Sequence, residues 1–280
     1  MNLPDFQKSS ELESPNECPL CAGTALRAAP IQPNPPFGLQ QCSKCNIIFL
    51  SPRPPANAMS QYYTEFYESD GNFQKSSRQD NRARRHFRRL RQAAVRPGRL
   101  LEVGAGDGYF LKVAQDEGWE IEGLELSRPR IERARTWFDI NLKCGDLSDM
   151  PFPAASFDAI VMFQLIEHVH HPQDLLKRVY ELLRPQGIMM LSTPNVLAYA
   201  RKGREVNSWR IPRHLFFFTP LTLVRTVENI GFEVLRKPLK FYATLEERLG
   251  WQPWPSAGPF SRVTRDLWTP FGLHLLARKT

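Results

Sequence analysis

Long apolar runs are absent from this sequence: no stretch approaches the roughly 18 residues that a membrane-spanning helix requires. There is also no internal repeat, and no signal peptide precedes the first cysteines. These absences lead us to expect a soluble, cytoplasmic protein. With 280 residues, of which 42% are hydrophobic, the chain can form one α/β domain and a small appendage. Residues 1–14 are polar, and we expect them to be flexible.

Cysteine is scarce, with five residues in the chain. Two C-x-x-C pairs, twenty residues apart, contain Cys18, Cys21, Cys42 and Cys45. Thiolates at this spacing are typical of a tetrahedral zinc site between two knuckles, so residues 15–52 are predicted to form a zinc ribbon. The metal is expected to be structural, because four cysteines leave no open coordination position. Disulfides are disfavoured, because no signal peptide is present and the fifth cysteine stands alone. That cysteine, Cys144, is predicted to be a buried small hydrophobe.

The dinucleotide fingerprint G-x-G-x-x-G is missing, because Tyr109 stands where its third glycine would be. An apolar strand at 100–103 leads instead into a G-x-G-x-G sequence, formed by Gly104, Gly106 and Gly108. Glycine permits a sharp turn and a close ligand, and the following helix presents free N–H groups. Glu125 ends a second strand, where it can accept hydrogen bonds from both ribose hydroxyls of a nucleoside. The loop predicts an adenosine-containing cofactor, and Glu102 suits one with a cationic end and no pyrophosphate.

Predicted strands and helices alternate after this loop. Helices are expected at 109–117, at 127–138 with Ser127 as the N-cap, and at 174–183. The apolar run at 159–163 suits a strand buried on both faces. This alternation indicates an α/β fold with a doubly wound parallel sheet.

At this point the sequence resembles the class I S-adenosylmethionine-dependent methyltransferases. The resemblance rests on LEVGAGDG, GDLSDMPFPAASFDAIV, EHV and LSTPN, followed by GFEVLRK and FGLHLLARK. It implies a Rossmann-like, mostly parallel seven-stranded sheet across residues 97–280, with FGLHLLARK as an antiparallel strand at the sheet edge. It also implies S-adenosylmethionine as the cofactor. The residues expected to bind it are Glu102, Gly104, Ala105, Gly106, Gly108, Glu125, Leu126, Asp146, Leu147 and Gln164.

The same resemblance assigns roles within that set. Gly104 and Gly106 would line the methionine end of the cofactor, and Glu125 would hold the ribose. Asp146 would face the adenine amino group, with the Leu147 N–H close by, and Gln164 would look toward the transferred methyl. Taken alone, Asp146 is also typical of a turn or helix cap, and Glu125 could be a solvated carboxylate.

The stretch from Gln164 to His168 resembles small-molecule methyltransferases, including those of ubiquinone synthesis and of sugar and antibiotic tailoring. A Glu-x-x-Glu-His version in the ubiquinone branch can hold a divalent metal, but Gln164 replaces the first glutamate here. His168 is a candidate general base for an acceptor hydroxyl, and the alternative is that it caps or packs beneath a helix. His214, in HLFFFTP, is either a second candidate base in a substrate wall or part of a packed loop.

Charge is uneven: the net charge is +8, and one segment that looks helical contains Arg82, Arg84, Arg85, Arg88, Arg89 and Arg91. This segment belongs to a predicted helical linker or lid at 53–96. It can be a solvated helix with partly paired arginines, a phosphate-binding helix for RNA, or an attractor of acidic substrates. Two aromatic segments, 62–71 and an insertion at 241–270, are expected to cover the site. The insertion could be a substrate lid, a dimer surface or a contact with membrane lipid.

We therefore expect a methyltransferase with an N-terminal zinc ribbon that methylates a small molecule or glycan, on oxygen. The alternatives are an RNA methyltransferase that holds RNA with its ribbon and arginine-rich helix, and a non-catalytic cofactor-binding scaffold that docks a partner protein. The sequence leaves the acceptor and the oligomeric state open.

Overall fold

The computed structural model describes residues 12–59, 61–62, 74–93, 96–196, 210–235, 268–269 and 272–280. Its helices are α1 (Ser77–Arg91), α2 (Tyr109–Asp116), α3 (Arg128–Phe138), α4 (Pro172–Leu182) and α5 (Pro220–Glu228). Its strands are β1 (Leu26–Ala28), β2 (Leu39–Cys42), β3 (Ile48–Leu50), β4 (Arg99–Val103), β5 (Glu120–Glu125), β6 (Lys143–Cys144), β7 (Phe157–Phe163), β8 (Leu183–Pro194), β9 (Phe216–Phe217), β10 (Phe232–Val234), β11 (Trp268–Thr269) and β12 (Gly272–Lys279).

The larger sheet has the order β10-β12-β8-β7-β4-β5-β6, with β11 paired to β12. From β8 to β6 neighbouring strands are parallel, whereas β12 is antiparallel to β8 and β10. This confirms the predicted doubly wound, mostly parallel seven-stranded sheet. The expectation that FGLHLLARK forms the edge was wrong, because β12 lies one strand inside and β10 is the edge. The long apolar β12 is buried by pairing on both sides, and the three-residue β10 leaves a shorter open edge.

Helices cover both faces of this sheet. On β4, Leu100 packs with residues of α1, α2 and α3, and Leu101 packs with residues of α4 and α5. This difference follows from the strand geometry, because successive side chains point to opposite faces. The central strand β7 is apolar and almost wholly buried, as expected for a parallel strand covered on both faces.

A smaller sheet has the order β1-β2-β3-β9. The first three strands come from the predicted zinc ribbon, and β9 comes from a much later part of the chain. The N-terminal module therefore shares a sheet with the 97–280 region. Ordered contacts begin within the segment expected to be flexible, because Glu13 forms an antiparallel bridge with Arg53 and a 2.6 Å ion pair.

The arginine-rich segment is helical, as predicted. Helix α1 buries Ala83, His86, Phe87 and Leu90 against the sheet and α2. Two of its exposed arginines are paired: Arg84 with Asp80 and Arg91 with Glu117. The segment is therefore a helix with some of its arginines paired, and its roles in binding RNA or attracting acidic substrates stay predictions.

Several predictions fall at the limits of the described residues. Segment 62–71 lies outside them except for Tyr62, and insertion 241–270 lies outside them except for β11. Among the described helices, none combines the length and apolarity needed to cross a bilayer. The prediction for Cys144 was wrong: its side chain is exposed, because β6 is the two-residue edge strand of the larger sheet.

Candidate functional site

The glycine-rich loop joins β4 to α2 at the carboxyl edge of the sheet. Gly104, Gly106 and Gly108 have φ values of +73°, +58° and +80°, which L side chains rarely adopt. A Cβ on Gly104 would lie 3.4 Å from Leu165 Cδ1, and one on Gly108 would lie 3.1 Å from Ala134 Cβ. Glycine therefore permits both the turn and the close approach of neighbouring elements.

Glu125 ends β5 beside this loop and is buried. Its Oε2 accepts a hydrogen bond from Gly106 N at 2.7 Å, and its Oε1 accepts from Leu126 N at 2.9 Å and Ser127 N at 3.0 Å. Ser127 is the N-cap of α3, as predicted, and its side chain accepts from the Arg130 N–H. The carboxylate is thus fixed against the glycine loop, where the sequence places a ribose-binding acid.

Glu102 lies on β4 beneath the same loop. It is 4% exposed, and its Oε2 has no hydrogen-bond partner among the described residues. Burial and the nearby Glu125 charge raise the pKa of Glu102 well above its ordinary value, and Arg82 opposes that shift. A cationic ligand group beside Glu102 would favour its ionised form. The orphaned oxygen therefore fits a cofactor with a cationic end.

Asp107 was missed by sequence reasoning. Its side chain is buried, and Arg133 Nε donates to Asp107 Oδ1 at 2.8 Å, which ties the glycine loop to α3. The sequence shows an acidic residue between two glycines. It does not show that the partner of this residue lies on another element.

The outer end of the site is formed by the ends of β5 and β6. Among the described residues, Leu126 is the exposed large hydrophobic side chain, with 49% of its surface accessible. Asp146 is the N-cap of the short 3-10 helix Leu147–Asp149, and its Oδ1 accepts from Ser148 N at 3.0 Å. The capping role left open by the sequence is therefore real, and the buried Leu147 follows it.

The turn after β7 connects this loop to a histidine. Gln164 has a φ of +54°, and its Nε2 lies 3.4 Å from Ser192 Oγ. Leu165 packs over Gly104, and the His168 N–H donates to the Leu165 carbonyl at 2.8 Å. One turn thus touches the loop and carries a candidate base.

The two predicted bases lie together. The His168 and His214 rings have centroids 4.8 Å apart, and His168 Nε2 is 3.8 Å from Glu167 Oε1. His168 Nδ1 lies 2.8 Å from the Arg213 carbonyl. A carbonyl oxygen can only accept, so Nδ1 carries the proton and Nε2 is the acceptor nitrogen of the neutral ring. His214 is buried, with 3% of its surface accessible.

Burial determines the charge of this cluster. It lowers the pKa of His168 to about 4 and, together with His168, that of His214 to about 2. It raises the pKa of Glu167 to about 8, and neither carboxylate oxygen has a hydrogen-bond partner in the described part of the chain. Both histidines are therefore neutral above about pH 5. The donor atoms of the three residues lie within 4.8 Å of one another, so they could also hold a metal ion.

The four predicted zinc ligands converge. Cys18 Sγ lies 3.6 Å from Cys45 Sγ, and Cys21 Sγ lies 3.6 Å from Cys42 Sγ. Tetrahedral zinc with bonds of about 2.3 Å separates its sulfurs by about 3.8 Å, so this cluster fits the ion. The residue after each C-x-x-C pair has a positive φ, +51° at position 22 and +62° at position 46, which gives two similar knuckles.

The fold and the site together define a Rossmann-like α/β protein with an acid-lined cofactor loop at the carboxyl edge of its sheet. The methyltransferase domain family matches residues 76–237, more than half of the chain. The chain therefore belongs to the methyltransferase domain family.

Two curated relatives and one solved structure illustrate this membership. A Mycolicibacterium smegmatis protein, named a probable S-adenosylmethionine-dependent methyltransferase, is 31% identical over 136 residues, which cover 48% of this chain and 52% of that protein. The Coxiella burnetii ubiquinone biosynthesis O-methyltransferase is 27% identical over 157 residues, which cover 51% of this chain and 67% of that protein. The chain thus spans about half the length of the first relative.

The solved structure is an S-adenosylmethionine-dependent methyltransferase from Mesorhizobium loti. It aligns with a TM-score of 0.50 and 21% identity, covering 69% of this chain and 97% of that one. At this identity the likeness shows the fold alone.

Proposed function

We propose that this protein transfers a methyl group from S-adenosylmethionine to an oxygen of a small-molecule or glycan acceptor. The observation that carries the proposal is the 164–168 turn, which contacts the glycine loop through Leu165 and presents His168. A neutral base therefore lies beside the loop assigned to the cofactor. The Coxiella relative, named as an O-methyltransferase, supports an oxygen acceptor.

In this proposal the loop and its acids hold the cofactor. Glu102 receives the methionyl ammonium, Glu125 the ribose hydroxyls, and Leu126 lies against the adenine. Further contacts come from Gly104, Ala105, Gly106, Gly108, Asp146, Leu147 and Gln164. When bound, the cofactor supplies a sulfonium methyl for in-line displacement. Holding the acceptor oxygen about 3 Å from that methyl gives most of the rate enhancement.

The Nε2 atom of His168 takes the proton from the hydroxyl group that is methylated. The other ring nitrogen, Nδ1, already carries a proton, which it donates to the Arg213 carbonyl. His214 packs against the ring and restricts its orientation. General-base assistance of this kind typically contributes 10²–10⁴-fold to a rate.

Methyl transfer from labelled S-adenosylmethionine into fractionated small-molecule, glycan and RNA extracts tests the proposal. We expect label in the small-molecule or glycan fraction, and a roughly 10²-fold or greater loss of turnover in His168→Gln. His171→Gln is the matched control, since His171 is exposed at the start of α4. Cofactor binding without label in any fraction would favour the scaffold alternative.

RNA is a second candidate acceptor, favoured by one face of α1. A groove of about 450 Å³ along this helix is lined by Arg78, Arg85 and Arg88 with two polar residues. Within the described ranges these three arginines form no ion pair, unlike Arg84 and Arg91.

Salt dependence tests this candidate. RNA binding through these arginines should weaken steeply as salt rises. The Arg85→Gln/Arg88→Gln variant should reduce the dependence, and Arg84→Gln should leave it unchanged. Salt-independent transfer, with label in small molecules only, would contradict an RNA acceptor.

A further inference from the structure

The four-cysteine module (residues 18–50) is hydrogen-bonded to residues 213–218, which we call the rim segment. Ile48 pairs with Phe217 and Phe49 pairs with Phe216 across β3 and β9. The ladder continues beyond β9, because Leu50 N donates to the residue 215 carbonyl at 2.9 Å. Strand β3 thus fixes one edge of the rim segment.

The other edge of the rim segment is held by the turn that carries the candidate base. Leu215 N and Phe216 N both donate to the Glu167 carbonyl, at 2.8 Å and 3.2 Å. The Arg213 carbonyl accepts the His168 Nδ1–H. The rim segment, including His214, is therefore held between the module's strand and the 164–168 turn.

Side-chain packing makes this connection rigid. Phe49, Leu50, Leu215 and Phe216 are each at most 1% exposed and belong to one hydrophobic cluster. The Phe49 and Phe216 rings have centroids 6.5 Å apart. Because packed interiors transmit displacements, movement of β3 must alter the rim.

The chain that leaves the module after residue 50 makes a second connection to the same region. His170 Nε2 lies 2.9 Å from the Pro54 carbonyl, so it donates to the backbone that follows β3. This bond joins the chain leaving the module to the residues just after the candidate base.

Two of the predicted metal ligands, Cys42 and Cys45, lie at the turn of the hairpin that carries β3. The second knuckle lies between β2 and β3, where Asn46 N donates to the Cys42 carbonyl at 2.9 Å and Cys42 N donates to the Ile47 carbonyl at 3.1 Å. Strands of three or four residues cannot stabilise such a module alone, and the ion supplies folding energy to modules of this kind.

The cofactor contacts are built differently. The donors to Glu125 come from the glycine loop and the start of α3, and none comes from the module. Glu102 likewise lies on β4, whose strand neighbours are β5 and β7.

We infer that the metal-bound module positions His214 and, through the residue 213 carbonyl, the His168 ring, and so controls methyl transfer without controlling cofactor binding. Phe49 and Leu50 are its positioning residues. The inference that the module controls methyl transfer rests on the proposed function. The inference that it positions His214 does not.

Hydrogen exchange of the full-length protein tests the positioning. The metal is removed by chelation under reducing conditions, and its loss is verified by metal analysis. We expect exchange in peptides covering 210–218 to accelerate roughly tenfold or more, with 99–125 unchanged. Retained protection of 210–218, or equal loss of protection in both regions, would overturn the inference.

A variant that keeps the metal ligands gives an independent test. Phe49→Ala should lower kcat roughly tenfold or more and leave the cofactor dissociation constant unchanged. Phe232→Ala is the control, because Phe232 is also a buried phenylalanine but lies on β10, at the edge of the larger sheet and outside the module. Equal kcat losses in both variants, or weakened cofactor binding in Phe49→Ala, would overturn the inference. Exchange and cofactor binding need no acceptor, so a failure to find methyl transfer refutes only the proposed function.

Discussion

Among the predicted cofactor-binding side chains, we expect the loss of Glu125 to weaken cofactor binding most strongly. Its carboxylate is buried and aligned by three backbone donors. Hydrogen bonds to a charged group are worth about 1.5–3 kcal/mol, so Glu125→Ala should raise the cofactor dissociation constant roughly 10- to 100-fold. Titration calorimetry with S-adenosylmethionine measures this. Glu120→Ala, at the exposed start of the same strand, should bind normally. Equal affinity in the two variants would exclude the ribose role.

The ion pair of Asp107 and Arg133 should matter more to stability than any exposed pair. Their side chains are 5% and 15% exposed, and removing one partner of a buried pair costs about 3–5 kcal/mol. We expect Arg133→Gln to destabilise the protein by about 3 kcal/mol in urea unfolding. Arg135→Gln breaks the exposed pair with Glu132 and should destabilise the protein far less, because exposed ion pairs contribute little to stability. Similar losses of stability in the two variants would show that the glycine loop does not depend on the ion pair of Asp107 and Arg133.

What could be predicted for single residues depended on how local the signal was. Glu102 was predicted from its place two residues before Gly104, and Glu125 from its place at the end of the strand that follows the glycine loop. The partner of Asp107 was not, because it lies 26 residues away on another element. The Gln-x-x-Glu-His stretch includes Glu167, but no local pattern says that both its oxygens are buried without a hydrogen-bond partner among the described residues.

Among the elements, α1 should make the fold sensitive to acid. His86 on α1 and His274 on β12 have ring centroids 5.0 Å apart, and His86 also packs on Phe163. Burial lowers the pKa of His86 to about 2 and of His274 to about 3, with Arg85 and Arg89 contributing. The unfolded chain takes up these protons near pH 6.5, and the folded chain does not. Their stabilising effect is therefore complete above pH 6.5 and declines as the pH falls.

Thermal unfolding at pH 7.5 and pH 5 measures this effect. Each of these two histidines should lower the free energy of unfolding by about 2 kcal/mol at pH 5, since one pKa unit corresponds to about 1.4 kcal/mol. His86→Phe should therefore lose less stability on acidification than the wild type. His171→Phe, at an exposed position, should retain the wild-type slope. If stability depended on pH identically in all three proteins, α1 would have to open before these histidines titrate.

Elements were predictable where their pattern was long. The helices of the parallel half and the arginine-rich helix follow from patterns over eight or more residues, and strands β4, β5 and β7 follow from short segments of five to seven residues that alternate with them. The position of β12 inside the sheet does not, because strand order is set by packing between distant segments. Strand β9 has two residues, too few for any period, so its pairing with β3 could not be read from the sequence.

At the scale of the whole molecule, the described residues form two hydrophobic clusters on opposite faces of the larger sheet. One cluster joins the four-cysteine module to β4, β7, β8, α4 and α5, and the other joins α1, α2 and α3 to the opposite face. Since β4 and β7 contribute to both clusters, the metal-bound protein should unfold in a single calorimetric transition. Two separate transitions would mean that the module folds independently of the sheet.

Cofactor binding and metal binding should then stabilise the protein independently. A ligand at 100 times its dissociation constant stabilises the folded state by about 2.7 kcal/mol. Because the Glu102 and Glu125 contacts come from the larger sheet and α3, we expect the same gain with and without the metal, although the metal-free protein starts from a lower unfolding temperature. Calorimetry of both forms, with and without S-adenosylmethionine, gives the four free energies of this cycle. Loss of the cofactor's stabilising effect in the metal-free form would mean that the carboxyl edge of the sheet depends on the module. The metal would then control cofactor binding as well as the placement of His214.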